Sequence, residues 1–572
     1  MRRRIVIAAI LALASLSGAK AQDIAQIAKS DPLIMSGAVG TTNTFYHSTG
    51  YRFASPFQST VWANLNLSVY GIAMPFSLFY SNSDLNFDYP HISLNLSPRY
   101  KQWQAFFGQS SMSYSPYVMN MSFNGFGVEY NGQKLRFGAF YGRLRNAVND
   151  DPNDLHARMP QYKRLGWGLK VGYGTQSHYL DLYFLRAYDS PSSIDEAWQS
   201  RVSPQSNLVV GLRGSARIAQ WLTLSANAAT SLFTADTRAR SVESNKLQRW
   251  DKVFDAKYTS NMRFAGDISA NVSLLGVNAS VSYKMVQPDY TSLGTYFMSN
   301  NYQSLGIAAS THLFRKISLS GNFSVQSDNL SDKQLYTTSG YVYSASAATR
   351  LGKVSLSARY NGYWQRQTDG TARVVDSTRV NRIMHSIGGS AAYTLGGETL
   401  NHTFSLSGGY NVNKDLNPYA NGMTDVKTLS AGLSYNVEVD PWRTDFTTSL
   451  HHQQSKGYAT KYTSDILSLG AGRAFFQEGN LHLQAALNIC YNRMEHMREN
   501  MSLGGDMQLA YTLKQVHAFS LTGSVARSND VNISTNADMY NVTETSIGLS
   551  YTYTFSLFEI KRKNRQTDQQ RM

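Results

Sequence analysis

Residues 480–494 read NLHLQAALNICYNRM. Leu481, Leu483, Ala485, Leu487, Ile489 and Tyr491 share one parity, while His482, Gln484, Ala486, Asn488, Cys490 and Asn492 share the other. The pattern recurs. In KVSLSARYNGYW, Val354, Leu356, Ala358, Tyr360 and Trp364 alternate with Ser355, Ser357, Arg359 and Asn361. In KISLSGNFSV, Ile317, Leu319, Phe323 and Val325 alternate with Ser318, Ser320, Asn322 and Ser324. In RLGWGLKVGY, Leu165, Trp167, Leu169, Val171 and Tyr173 alternate with Gly166, Gly168, Lys170 and Gly172. TLSAGLSYNVE repeats it with Leu429, Leu433, Tyr435 and Val437. Period 2 predicts β-strands, and no comparable stretch of period 3.6 follows the N-terminal region.

The connections alternate short and long. Short ones fall near Gly71–Pro75, Pro98–Lys101, Asn131–Lys134, Gly174–Ser177, Ala219–Gln220, Leu274–Val277, Arg315–Lys316, Leu351–Lys353, Gly396–Glu398, Val439–Pro441, Gln477–Asn480 and Leu513–Gln515. Between them lie longer polar segments, such as Arg143–Lys163, Tyr188–Ser206, Thr234–Lys257, Gln287–Asn300, Gln365–Asn381, Asn413–Thr424 and Ser528–Asn541. Twelve short turns on one side predict about 26 strands, within a range of 22 to 26, with both chain ends on the short-turn side. Strands after residue 205 run roughly 11 to 16 residues, against about 5 or 6 in soluble sheets. No fixed repeat marks a propeller or solenoid. Aromatic residues gather at strand ends, as at Tyr360, Tyr363 and Trp364 or Tyr551, Tyr553 and Phe555, in the manner of interfacial girdles. The predicted fold is all-β: a single antiparallel up-and-down transmembrane barrel without a plug domain.

The chain has 572 residues. It starts with Arg2, Arg3 and Arg4, then an apolar run from Ile5 to Leu16 and small residues around Ala19 and Ala21. This is the build of a secretory signal peptide covering 1–21. A periplasmic segment of 22–33, the barrel at 34–560 and a basic periplasmic tail at 561–572 are expected to follow. The net charge of +15 loses Arg2, Arg3, Arg4 and Lys20 with the signal, leaving +11. In a secreted chain that excess points to anionic surfaces or headgroups rather than nucleic acid. A single cysteine excludes intrachain disulfides. No second apolar run is long enough for a membrane helix, and only a closed barrel otherwise pairs every backbone polar group in lipid.

DPLIMSGAVGTTNTFYHSTG (31–50), YGIAMPFSLFYSNSDLNF (70–87), FNGFGVEYNGQKLRFGAFYGRLRNAV (123–148) and YKRLGWGLKVGYG (162–174) resemble a little-characterised group of porin-like outer-membrane barrels of the Bacteroidota. The resemblance covers residues 30–190 best. It implies a Gram-negative outer-membrane location and carries over no functional residues.

No catalytic, metal or cofactor constellation emerges. His451 and His452 are adjacent on one strand and point to opposite faces. No G-x-S-x-G elbow is present. Asn149, Asp150, Asp151, Asn153 and Asp154 cluster oxygens that suit calcium but break the twelve-residue EF-hand order, so a solvated loop is the plainer reading. The chain is therefore not expected to be an enzyme and needs no cofactor. Arg136, Lys170, Asp181, Arg359, Glu438, Asn488 and Cys490 are the lumen-facing candidates, either tuning passage or forming a network along the wall.

A barrel this wide with no plug must be flattened, narrowed by loops, or filled by another protein. The expected function is a wide barrel subunit of an outer-membrane protein assembly, export or transport machine. Its expected partners are outer-membrane lipids, the machinery that inserts barrels, and outer-membrane proteins or lipoproteins. The alternative is a stand-alone porin-like channel for small or hydrophobic solutes. The longest loop, about 24 residues (Thr234–Lys257), is too short for an adhesive domain.

Overall fold

A computed structural model describes residues 33–50, 55–82, 92–149, 159–242, 254, 256–371, 375–476, 478–495, 497–532 and 537–560. The expected signal peptide, most of the segment after it and the basic tail lie outside these residues, as does most of the Asn149–Asp154 cluster.

Twenty-seven antiparallel strand segments form one sheet, and β1 (Leu33–Ser48) pairs with β27 (Ala537–Ile560) to close it. Two segments, β4 (Ile92–Leu96) and β5 (Arg99–Tyr100), both lie between β3 (Ile72–Ser81) and β6 (Trp103–Ser110). They are one stave broken at Ser97-Pro98, because proline has no N–H for the ladder. The barrel therefore has 26 staves. No helix among the described residues is long and apolar enough to cross a membrane.

The turns behave as their residues require. Tyr70 and Gly71 both take positive φ (49° and 80°), as do Leu275 and Gly276 (52° and 79°). That is the two-residue hairpin whose twist matches the strands. The turn expected at Pro98–Lys101 sits slightly later, at Lys101 and Gln102, with Pro98 inside the broken stave.

On the other side the rhythm departs from expectation. The first half has long loops. Toward the C-terminus the strands lengthen instead, and the connections shrink. The expected loop Ser528–Asn541 is mostly strand, because β26 (His517–Asn532) runs on and β27 starts at Ala537. The connection after β24 (Leu481–Met494) is only two residues before β25 (Met497–Leu513), not a looser loop. Long strands keep their backbone groups paired in ladders, so less chain is left for loops.

Register assigns the faces. Outward, β9 (Arg164–Gly174) shows Leu169, Val171 and Tyr173, exposed by 43, 54 and 65%. Inward, Lys170 is 6% exposed. The outward face carries two aromatic girdles. Near the short turns Trp103 meets Tyr130 and Phe137 at 5.0 and 5.2 Å, and Phe404 meets Tyr435 at 4.8 Å. Near the long-loop end Tyr341 stacks on Trp364 at 5.0 Å. Tyr363, grouped with the girdle from sequence, has the opposite parity and faces inward beside Met384. On β19 (Asn381–Gly396), Ile383 pairs with Trp364 and Tyr393 lies at the lower girdle, ten residues away. At about 3.3 Å per residue and a tilt near 40°, the girdles stand about 25 Å apart, the height of a membrane barrel's apolar band.

Candidate functional site

Two loops from the long-loop side fold against the inside of the wall. The first, 111–122, reads SMSYSPYVMNMS and follows β6. The second, 287–301, follows β14 (Val277–Val286) and precedes β15 (Tyr302–Leu313). About 170 residues separate them in sequence, yet Asn120 N–H donates to Gly294 O at 3.0 Å, Tyr290 Oη to Tyr117 O at 2.8 Å and Ser292 Oγ to Val118 O at 2.5 Å. Together they form a lobe over the inner face of staves β7 (Phe123–Asn131) through β14.

That inner face is built to receive it. On β10 (His178–Asp189) both parities are apolar: Leu180, Leu182 and Phe184 point out, while Tyr183, Leu185 and Ala187 point in and are buried. Val209 on β11 (Ser206–Ala219), Ala229 on β12 (Leu222–Thr234), Ala265 on β13 (Ser260–Leu274) and Val286 extend this apolar floor. Val118, Met119 and Leu293 of the lobe rest on it. Inward glycines make room. A Cβ at Gly211 would sit 2.4 Å from Val118 Cγ2, and one at Gly138 would sit 2.7 Å from Met112 Cε. The glycine parity of RLGWGLKVGY thus marks a close approach, not only a polar lumen.

Polar anchors fix the lobe's position. Asn207, fully buried, accepts from Leu293 N–H at 3.0 Å and donates to Ser231 Oγ at 2.7 Å. Tyr117 Oη donates to Asp267 at 2.7 Å, and Asn227 donates to the other oxygen of that carboxylate at 3.0 Å. Burial first, and then Asp267, pushes the Tyr117 phenol above its ordinary value. Burial does the same to Tyr290. Both phenols stay neutral donors.

Under and beside the lobe lies a layer of ion pairs. Arg136 on β8 (Leu135–Arg145) reaches Asp181 at 2.8 Å and also donates to Gly174 O at 2.9 Å. Lys170 meets Glu129 at 2.8 Å with both side chains nearly dry. Arg164 grips Asp189 at 2.8 and 3.1 Å. Three of the seven sequence candidates, Arg136, Lys170 and Asp181, thus come together here. Sequence reasoning missed Glu129, Arg164, Asp189, Asn207 and the lobe. The available signal was apolar residues on both parities of β10 beside the Met/Tyr-rich loop 111–122.

The remaining candidates lie on the opposite, uncovered wall. Arg359 overhangs a shallow depression lined by Ser357, Gly388, Ser390, Ser407, Gly409 and Ser430. Glu438 is paired across strands with Asp445, so two carboxylates sit together near the short-turn rim. Asn488 donates to Asp506 at 3.2 Å. Cys490 donates to Asn492 Oδ1 at 3.5 Å and lies 3.8 Å from Ser464 Oγ. On this wall hydroxyls pair across strands, as at Ser320–Ser346 and Ser357–Ser390, both 2.7 Å. His451 shares its face with Cys490 through Ile466, whereas His452 points outward.

The face of Cys490 is directly measurable. A charged, water-soluble maleimide applied to the barrel in lipid is expected to label it as fully as a lipid-soluble reagent does. Labelling by the lipid-soluble reagent alone would place Cys490 on the outward face.

No family model matches the chain, and no curated protein is similar to it. Among solved structures it is similar to the translocation pore of the P pilus usher PapC, at 9% identity over 91% of this chain and 100% of that one, with a TM-score of 0.37. The copper transporter OprC aligns at 10% identity over 91% of this chain and 80% of its own, with a TM-score of 0.39. The outer membrane protein OprD of Pseudomonas aeruginosa aligns at 11% over 66% and 94%, with a TM-score of 0.33.

Proposed function

We propose that the chain is an outer-membrane barrel that acts as a wide subunit of a protein assembly, export or transport machine, with a partner protein seated against its uncovered wall. The observation that carries this reading is asymmetry. The lobe covers one wall, while the inward faces of β15 to β27 present exposed serine, asparagine and glycine that nothing else among the described residues covers. A circular ring of 26 staves would be about 50 Å across at ordinary strand spacing and tilt. A lobe about 10 Å thick does not close such an opening. Left open, it would breach the barrier that an outer membrane maintains. A partner from the same membrane or a lipoprotein supplies the missing mass, and a polar hydroxyl-rich wall suits a wet, separable interface.

A second reading rests on the lobe itself. An inward constriction is what a stand-alone channel for small solutes needs. Gentle extraction of a tagged chain in neutral detergent separates the two. A stoichiometric protein partner, lost when bulky residues replace Ser357 and Ser390 on the uncovered wall, is expected. Recovery of the barrel alone, with steady large conductance in planar bilayers, would establish the channel instead.

A further inference from the structure

Above the apolar band, the outward face of four neighbouring staves carries charge that its own chain leaves unbalanced. These are β21 (Val426–Val439), β22 (Thr444–Lys456), β23 (Lys461–Phe475) and β24. Lys427 is register-paired with Lys456, and Lys456 with Lys461. Three lysines therefore stand in one row on one face. Like charges directly opposite each other destabilise a sheet. Among the described residues no carboxylate lies within ion-pair distance of any of the three. The nearby carboxylates are committed elsewhere. Glu495 accepts the Lys461 backbone N–H at 2.7 Å, Asp425 accepts the Asp415 N–H at 2.9 Å, and Asp465 is held between His452 and Arg493 at 2.6 Å each.

Directly below this row the same face is hollow and apolar. Small outward residues at Gly408 and Ala431 leave a groove walled by Leu406, Leu433, Leu450 and Leu467, with His452 and Asp465 at its upper end. Lys456 lies ten residues above Phe446 on β22, about 25 Å up a tilted strand, at the height of the outer headgroups.

We infer that this face binds a phosphate-bearing lipid of the outer leaflet, with its phosphate among Lys427, Lys456 and Lys461 and an acyl chain in the groove over Ala431. The inference rests on the outer-membrane reading for the leaflet concerned. Its support is charge complementarity: an anion is the group that relieves three facing ammoniums, and the groove beneath them takes hydrocarbon. A soluble phosphate would leave the groove unused.

The test uses the full chain purified in neutral detergent. Native mass spectrometry counts bound lipid after addition of phosphorylated lipid A or the same lipid with its phosphate removed. The phosphorylated lipid is expected to bind at least about tenfold more tightly. Lys427→Gln, Lys456→Gln and Lys461→Gln combined should abolish that difference, and inorganic phosphate at equal concentration should not compete. Ala431→Trp, on the exposed face where it disturbs no packing, should weaken both lipids alike. Equal binding of the phosphorylated lipid by the triple variant and the parent overturns the inference. So does competition by phosphate alone. Membrane fractionation reports separately on location: a chain outside the outer membrane sinks that reading and leaves the lipid measurement to be judged by itself.

Discussion

Glu129→Gln is expected to destabilise the barrel by about 3–5 kcal/mol, the usual consequence of stranding one member of a buried ion pair. Glu129 and Lys170 approach to 2.8 Å with side-chain exposures of 9 and 7%. Their strands are not adjacent: Gly138 on β8 pairs with both residues, so the two long side chains bridge across a glycine. Tyr114 of the lobe lies close enough that burial, and then the negative charge of Glu129, pushes its phenol up. Removing that charge leaves the Lys170 ammonium with no counter-charge and little water. The chain can then hydrate Lys170 only by lifting the lobe, which raises the free energy of the native state. Replacing both residues by methionine removes the charges together and fills similar volume, so the double variant should fall within about 1 kcal/mol of the parent. Guanidinium unfolding of the detergent-solubilised protein reads both values. A single variant as stable as the parent would mean that the pair is solvated and that the lobe is not seated as described.

Replacing residues 111–122 with a short Gly-Ser linker is expected to raise single-channel conductance by about a third, and by more in a flattened barrel. The estimate follows from a lobe about 10 Å thick along eight of the 26 staves. The loop forms the floor on which 287–301 rests, through Asn120, Tyr117 and Val118. Without it the second loop keeps Asn207 and Ser231 as anchors and Leu293 on the wall, but loses the hydrogen bonds to Tyr117, Val118 and Asn120. A milder version is Gly211→Leu, whose first side-chain carbon already lies too close to Val118. It should shift conductance in the same direction without deleting chain. Unchanged conductance in both variants would show that the lobe does not narrow the passage.

These predictions concern residues whose visibility in the sequence differs. Leu481 to Tyr491 show which face meets lipid, because alternation is a property of each strand alone. The twelve tight turns were legible because positive φ and two-residue loops restrict composition locally, as at Tyr70-Gly71 and Leu275-Gly276. Loop lengths at the opposite end were less legible. Asn529 and Asp530 are polar and look like loop, yet they pair with Asn541 and Tyr540, since a polar extension of a strand above the membrane has the composition of a loop. Arg136, Lys170 and Asp181 were recognisable as a polar parity. Their partners were not, since pairing depends on which strand lies beside which.

By itself, then, the sequence determined the outward and inward faces, the number of staves and the all-β class, because period, turn chemistry and strand length are encoded within a few neighbouring residues. The tertiary structure alone decided the register in which β1 meets β27, the meeting of 111–122 with 287–301, and the dry ion pairs beneath them. Leu185, Ala187 and Val209 break the polar inner parity and announce that something covers them. What covers them comes from opposite ends of the covered staves, β7 to β14. Only the curvature of the closed sheet brings those segments together, and no local pattern records that geometry.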